Sequence, residues 1–461
     1  MSGVGTGARP VRVAVVGAGP AGFFVAEALL KRDGPVFEVD LFERLPTPFG
    51  LVRAGVAPDH QKIKSVTRTF EKTAQHGRFR FLGNVSVGRD VTHADLLTHY
   101  DQVIYAIGAS GDRRLGIPGE ELTGSHSATA FVGWYNAHPD FRDFPFELNT
   151  QRAVVVGAGN VALDVARVLL RGTDELAKTD IAAHALAALR KSPLREVVLL
   201  ARRGPGQAAF TAGELEDIAA LPGISVVVDR AQLKLDTARL DRLPAPARRN
   251  LAVLEALAMA GPPKHERVLR FEFLASPVEV LGDGRGHVRG VRVERNALVP
   301  DGDDFKAKGT GQHFELDAGL VFRSVGYFGQ PVPGVPFDAK AGVIPNVDGR
   351  VTEAPGGAVV PRVYAVGWIR RGPLGVIGTN KADGVAVAEK VVHDVAALPA
   401  EARPPREALP VQLSARGVKL VTYADWLALD ALELEAGRSA AKVREKLSRI
   451  EEMMDALLRA R

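Results

Sequence analysis

A chain of 461 residues is too long for one ordinary core and predicts about two or three domains; 46% apolar and 25% charged residues are globular values that exclude extensive disorder. A net charge of +5, from 59 Lys+Arg against 54 Asp+Glu, is too mild and dispersed for a nucleic-acid-binding face, and suits solubility or an acidic protein partner. Cysteine is absent, which excludes disulfides, a redox-active thiol pair and a cysteine-ligated iron–sulfur cluster in this chain; the 11 His are scattered, and no metal site is expected.

In chain order, Val11–Val16 is a short β-branched run suited to a buried parallel strand. Residues 11–30 are apolar enough to imitate a signal or anchor, but Gly17, Gly19, Pro20, Gly22 and Glu27 interrupt them. Strand, turn and helix (21–30) fit better, so no transmembrane segment and a cytoplasmic protein are expected. With the strand Phe37–Phe42 this makes a strand–helix–strand unit of dinucleotide-binding type. A helix at 62–76, the strand Phe79–Leu82 and a strand at 100–107 ending in Gly108 follow, then a connection at 113–123.

The pattern then restarts: strand 153–156, turn 157–159, helix 161–170. Helix 174–190, strand 197–201, helix 214–220 and the strand Ile224–Val228 come next, then strands at 269–274 and 288–295 and an apolar stretch at 316–324. Strand character returns at 362–366, before a glycine-rich loop and a helix at 382–396. The tail, 423–461, reads as helix with the charge spacing of a solvated face. The repeat from Gly17 to Gly157 is of domain scale, and predicts an α/β protein with two Rossmann-like nucleotide-binding domains.

Gly17-Ala18-Gly19-Pro20-Ala21-Gly22 matches G-x-G-x-x-G. Gly17 allows the tight turn, Gly19 the approach of a pyrophosphate, and Gly22 close packing of helix on strand, whose N-terminus then faces the phosphates. Glu43 ends the second strand about 20 residues on, where an acid accepts hydrogen bonds from ribose hydroxyls and repels a 2′-phosphate. Gly157-Ala158-Gly159-Asn160-Val161-Ala162 is the variant ending in Ala. At the end of its next strand stand Arg202 and Arg203 in place of an acid, which suits the dianionic 2′-phosphate of NADP.

The acid at the first turn fits NAD and FAD equally. Two exchanging nicotinamides in one chain would have little to do, whereas a bound flavin facing a nicotinamide makes a working pair, so FAD is expected first and NADP(H) second. The segment Tyr364-Ala365-Val366-Gly367-Trp368 ends a strand in glycine; Gly372, Gly375 and Gly378 follow, and Thr379 or Asn380 is expected to cap a helix whose N-terminus meets the flavin edge.

On these residues the chain resembles the adrenodoxin-reductase family of NADPH–ferredoxin reductases, continuously from about Val11 to the last helix. The resemblance also rests on Pro48-Phe49-Gly50-Leu51-Val52-Arg53, Gly55-Val56-Ala57-Pro58-Asp59-His60, the run from Gly157 through Asp164 to Ala166, Ala201-Arg202-Arg203-Gly204-Pro205, Ala209-Phe210-Thr211 leading to Glu214, and Gly367 through Asn380. It implies an NADP domain (113–324) inserted within a FAD domain (1–112 and 325–461, with the helical tail). It further implies that Leu51, Gly108, Trp368, Gly375, Val376 and Ile377 line the flavin beside the turn holding Pro20 and Ala21, and that Asn160, Val161, Arg202, Arg203 and Glu214 hold NADP. His60, Glu214 and Trp368 become the catalytic candidates, the first two as a polar pair at the flavin's reactive face. Leu374 departs from the small polar residue many relatives carry.

The activity implied is hydride transfer between NADP(H) and FAD, then single-electron exchange with ferredoxin, an acidic iron–sulfur protein, by a monomeric enzyme. Lys234, Arg239, Arg242, Arg248 and Arg249 are a candidate docking face. Competing readings are a flavin-dependent NADPH monooxygenase, which would consume oxygen with a hydroxylated substrate, and a non-catalytic NADPH redox sensor, which would turn over slowly with every acceptor.

Overall fold

The computed structural model describes residues 3–234, 243–302 and 304–460. A seven-stranded sheet orders Asn346–Val347, Arg350–Thr352, Val359–Ala365, Gln102–Tyr105, Val11–Val16, Phe37–Phe42 and Phe79–Leu82 from edge to edge. From Val359–Ala365 to Phe79–Leu82 neighbours are parallel, and the other two strands add antiparallel. Its central strands are largely buried on both faces, as in a parallel sheet covered by helices on both sides. Helix Pro20–Leu30 is buried along most of its length and crosses Ile377–His393 closely: a Cβ at Gly384 would lie 2.9 Å from the backbone nitrogen of Val25.

A second, fully parallel sheet has six strands in the order Ser125–Ser127, Leu320–Arg323, Arg152–Val156, Glu196–Ala201, Arg267–Phe273 and Ile224–Val228. The strands Ala275–Gly282, Val288–Asp301 and Asp304–Asp317 form an antiparallel meander whose apolar residues pack on its other face. Between the two sheets the chain crosses twice, and the crossings pair antiparallel with each other, Gly111–Asp112 with Tyr327–Phe328.

Several local expectations are corrected. The helix read at 174–190 is two helices, Thr173–Ala177 and Ala183–Lys191, and that at 62–76 is Gln61–Lys64 and Thr67–Ala74. The strand read at 288–295 continues to Asp301 and belongs to the meander, whose partners Ala275–Gly282 and Asp304–Asp317 periodicity alone had not marked. Only Leu320–Arg323 of the stretch at 316–324 joins the sheet.

The tail is not a solvated arm. Its helices, Tyr423–Ser439 and Ile450–Ala460, put Trp426, Leu429, Met453 and Leu457 into the first core, with Trp426 edge-on to Phe49 at 5.8 Å. Glu433 is buried, where Arg53 and Arg444 both donate to its carboxylate. Burial pushes that carboxyl up, but the two arginines win and hold it below the usual glutamate range.

Candidate active site

Gly17 ends the strand Val11–Val16 at φ 108°, a conformation glycine alone takes readily, and a Cβ there would meet the carbonyl oxygen of Ala106 at 2.5 Å. At Gly22 a Cβ would collide with the carbonyl oxygen of Gly17. Gly19 differs: no protein atom lies within 4 Å of a Cβ built there. The space its missing side chain leaves is open, and the helix after it starts at Pro20 with no side-chain cap, so its first N–H groups are presented outward. Gly159 repeats this at the second turn: its Cβ direction is empty, and it precedes the uncapped helix Asn160–Leu170. Both cradles fit a pyrophosphate.

Glu43 is half-buried at the end of Phe37–Phe42 and accepts from the backbone N–H of Ala18 and Leu45, each at 3.1 Å. Burial raises its carboxyl above the ordinary range against these bonds. This fixes the carboxylate beside the first turn, where ribose hydroxyls can donate to it. Phe49 and Gly50 lie over the same turn, and the neighbouring Leu51 is 40% exposed. Gly108 has φ 70° with open space around it.

The loop after Val359–Ala365 closes on this region. Gly367 donates to Asp383 at 2.6 Å, and a Cβ there would lie 2.6 Å from the Cβ of Ala21. The helix Ile377–His393 begins two residues before the expected cap: Val376 is its N-cap, Thr379 donates back to the Val376 carbonyl at 2.6 Å, and Asn380 accepts from Arg371 at 2.8 Å. The helix N-terminus therefore has no side-chain cap. Gly375 stands at φ 84°, Val376 is 60% exposed and Leu374 is 71% exposed. The Trp368 ring packs at a tilt against that of Tyr327, with centroids 5.3 Å apart, and its Nε1 is buried without a partner among the described residues. An orphaned donor, uncapped helix ends and open glycine cradles are the donor set a dinucleotide cofactor completes.

Across the seam, Thr211 caps the helix Ala212–Ala219. The backbone N–H of Thr211 is taken by Asn160 Oδ1 at 2.9 Å, so Glu214, three residues on, need not turn back to it as in a capping box. Its carboxylate instead lies 3.5 Å from His60 Nε2 and accepts from Arg167 at 3.3 Å. The two catalytic candidates thus meet, although far apart in sequence. Arg202 is exposed at the end of Glu196–Ala201, and Arg203 reaches Asp304 at 3.2 Å. Arg203 also lines an open cavity of about 950 Å³ with Thr211, Asn250 and Phe305, large enough for an adenosine end. Of the docking residues, Lys234 and Arg248 are exposed, Arg249 pairs with Glu216 at 3.1 Å, and Arg239 and Arg242 lie outside the described residues.

The sequence reading missed Asp59, Asp164, Arg167 and Tyr327. Arg167 is 1% exposed and donates to Asp59 (2.8 Å), Asp164 (2.6 Å) and Glu214, while Arg171 adds a bond to Asp59 at 2.6 Å. Burial pushes Asp59 up, but Arg167 above all holds it below the ordinary aspartate range. Asp164 is pushed up to about 6 by burial, only partly offset by Arg167. His60, Asp164 and Glu214 bring ligand atoms within 4.8 Å of one another, but Arg167 already supplies positive charge to both carboxylates. The signal for Asp164 and Arg167 was the i, i+3 acid–base pair inside an otherwise apolar helix.

Because the folded protein prefers Asp164 protonated, stability is lost as pH rises from its ordinary value of 3.8 through about 6. Asp164→Asn, which mimics the neutral form, is expected to stabilise on the order of 1 kcal/mol at pH 7.5 and to be neutral near pH 4, measured as melting curves at both pH values.

No helix among the described residues is long and apolar enough to cross a membrane. The sequence pattern of the pyridine nucleotide-disulphide oxidoreductase family matches residues 11–204, spanning both glycine turns; its disulphide chemistry has no cysteine to act through here. The chain is 48% identical to NADPH-ferredoxin reductase FprA of Mycobacterium tuberculosis (strain H37Rv), over 97% of this chain and 99% of that protein. It is 43% identical to the human mitochondrial NADPH:adrenodoxin oxidoreductase, over 96% and 91% respectively. The structure of Mycobacterium tuberculosis FprA in complex with NADPH superposes with a TM-score of 0.93 at 46% identity, over 98% of this chain and all of that one. Identity of this extent, over two open dinucleotide cradles and the charged seam between them, shows that the chain belongs to the adrenodoxin-reductase family of NADPH–ferredoxin reductases.

Proposed function

We propose that this chain is an NADPH–ferredoxin oxidoreductase in which residues 1–112 and 325–461 hold FAD and residues 113–324 hold NADP(H). The observation that carries the reading is the convergence of the two units at His60 and Glu214, each unit with its own open glycine turn. FAD, when bound, accepts a hydride from the nicotinamide and passes electrons on singly.

Around that chemistry the chain's own groups bind and orient. The amides after Gly19 and Gly159 hold the pyrophosphates, Glu43 accepts from the ribose of FAD, and Arg202 and Arg203 clamp the 2′-phosphate of NADP. Trp368 Nε1 and the helix end at Ile377 face the flavin side, with Leu51, Gly108, Gly375 and Val376 around it. His60 Nε2, 3.5 Å from Glu214 Oε2, can hold the proton that accompanies each hydride. With no cysteine to carry a cluster, the one-electron acceptor is an external iron–sulfur protein of ferredoxin type. The same proposal places a monomer in the cytoplasm.

Anaerobic mixing of the yellow protein with NADPH, then with NADH, followed by ferredoxin and cytochrome c, tests flavin, nicotinamide preference and acceptor together. Bleaching by NADPH and rapid cytochrome reduction only with ferredoxin is the expected result. A colourless protein that takes up no flavin, or turnover independent of ferredoxin, would overturn it. If the acidic partner docks on a basic face, ferredoxin-dependent turnover falls several-fold between low salt and about 0.3 M, as the screening length shrinks below about 10 Å; NADPH-to-ferricyanide turnover, which needs no docking, serves as the control.

A further inference from the structure

Asp180 lies in the second unit, between the helices Thr173–Ala177 and Ala183–Lys191, and is buried. Two lysines converge on it. Lys64 Nζ, from the first unit, donates to both carboxylate oxygens at 2.7 Å. Lys446 Nζ, from the segment joining the two tail helices, lies 3.0 Å away and also donates to the carbonyl of Arg53 at 3.0 Å. Lys446 is 6% exposed and Lys64 9%. Three stretches of chain that neither sheet joins are thus tied at one carboxylate.

The surrounding tail segment repeats the connection. Lys442 donates to the carbonyl of Ile181 at 2.6 Å, the backbone of Val443 to that of Lys178 at 3.3 Å, and Arg449 makes two 2.6 Å bonds to Asp143. The same tail is anchored to the first unit through Glu433 and Arg53.

The place of Lys64 gives this tie a consequence. It closes the one-turn helix Gln61–Lys64, whose N-cap is His60, and its backbone N–H donates to the His60 carbonyl at 3.2 Å. Gln61 donates to Asp180 as well, at 3.2 Å. On the other side Asp59 is gripped by Arg167 and Arg171. His60 therefore sits between two clamps, both reaching into the second unit.

We infer that Lys446 and Lys64, bridged by Asp180, are positioning residues that hold His60 against Glu214, so that the C-terminal tail sets the geometry of the nicotinamide–flavin seam. The inference rests on the function proposed above. Two ammonium groups on one buried carboxylate leave an excess of positive charge, and burial lowers the basicity of both lysines. Removing one lysine leaves a balanced pair, so Lys446→Met and Lys64→Met should fold, whereas Asp180→Asn would strand both.

The test compares the wild type, each Lys→Met variant, His60→Gln and the two double variants as holoproteins. Flavin content and melting temperature report folding. Anaerobic stopped flow gives the flavin reduction rate at saturating NADPH, and titration gives the NADPH Kd. Hydrogen exchange of the amides at 59–66 reports position without turnover. Expected are normal flavin content, reduction slowed about ten-fold with Kd changed less than about two-fold, faster exchange at 59–66, and no further slowing when either Lys→Met change is added to His60→Gln. Wild-type reduction and exchange in both variants, or the same slowing with and without His60, would overturn the inference. Loss of flavin and fold in both would also overturn it, by showing a role in stability alone. Failure of the functional reading would appear separately, as a wild type that NADPH does not bleach.

Discussion

Replacing both Arg202 and Arg203 with Ala is expected to raise the KM for NADPH by about two orders of magnitude while leaving kcat/KM for NADH within about two-fold. A hydrogen bond to a charged group is worth roughly 1.5–3 kcal/mol, so losing two of them at a dianion costs about 3 kcal/mol or more, or a factor on the order of 100. NADH has no 2′-phosphate to lose. The two arginines should not contribute equally. Arg203 is partly engaged by Asp304 at 3.2 Å, so the phosphate must compete for it; Arg203→Ala alone is expected to cost less than Arg202→Ala. Steady-state kinetics with both nucleotides at fixed ionic strength decides the matter. Equal losses for NADPH and NADH would mean that the pair shapes the strand end and does not read the phosphate.

A contrast between two glycines of one motif carries the second large effect. Gly19→Val adds a side chain where no protein atom lies within 4 Å, at a backbone φ of −83° that any residue adopts. The protein is expected to fold, show its normal circular dichroism and bind no flavin. Its melting temperature falls only by what bound FAD contributes through mass action. Gly22→Val puts the same atoms against the carbonyl of Gly17, where the helix cannot move off the strand without opening the core. That variant should fail to accumulate as folded protein. Gly159→Val completes the set: yellow, stable, and unable to bind NADPH. If Gly19→Val were purified yellow, the first turn would not be the place where pyrophosphate approaches.

Those positions also show what the sequence made legible. The glycine turns, Glu43 and the arginine pair could be singled out because the chemistry proposed for them follows from short spacings along the chain, fixed by one strand, one turn and one helix. The approach of His60 to Glu214 could not be derived that way. It depends on how two units meet, and reached the sequence reading only through family resemblance. Asp164 stood inside a quoted motif and Arg167 one residue beyond it, but their importance comes from burial, and a charged i, i+3 pair reads the same way on an exposed helix. The tail misled for a related reason: charges at solvated spacing were in fact the partners of Asp180, Arg53 and Asp143 on other segments. In the meander, Asp304–Asp317 is exposed along most of its length and lacks an apolar alternation, while Ala275–Gly282 carries Pro277 at a register shift, so neither gave a strand signal.

The paired crossings at Gly111–Asp112 and Tyr327–Phe328 make the inner unit a cassette whose two ends leave the host side by side. It could be excised with one short ligation, or transplanted between relatives through two adjacent junctions, without threading a new loop across the host sheet. On the function proposed for Arg202 and Arg203, such a graft would carry its coenzyme preference with it. It would also have to bring an acid to the position of Asp180, since a host left with Lys64 and Lys446 facing each other would reject the transplant.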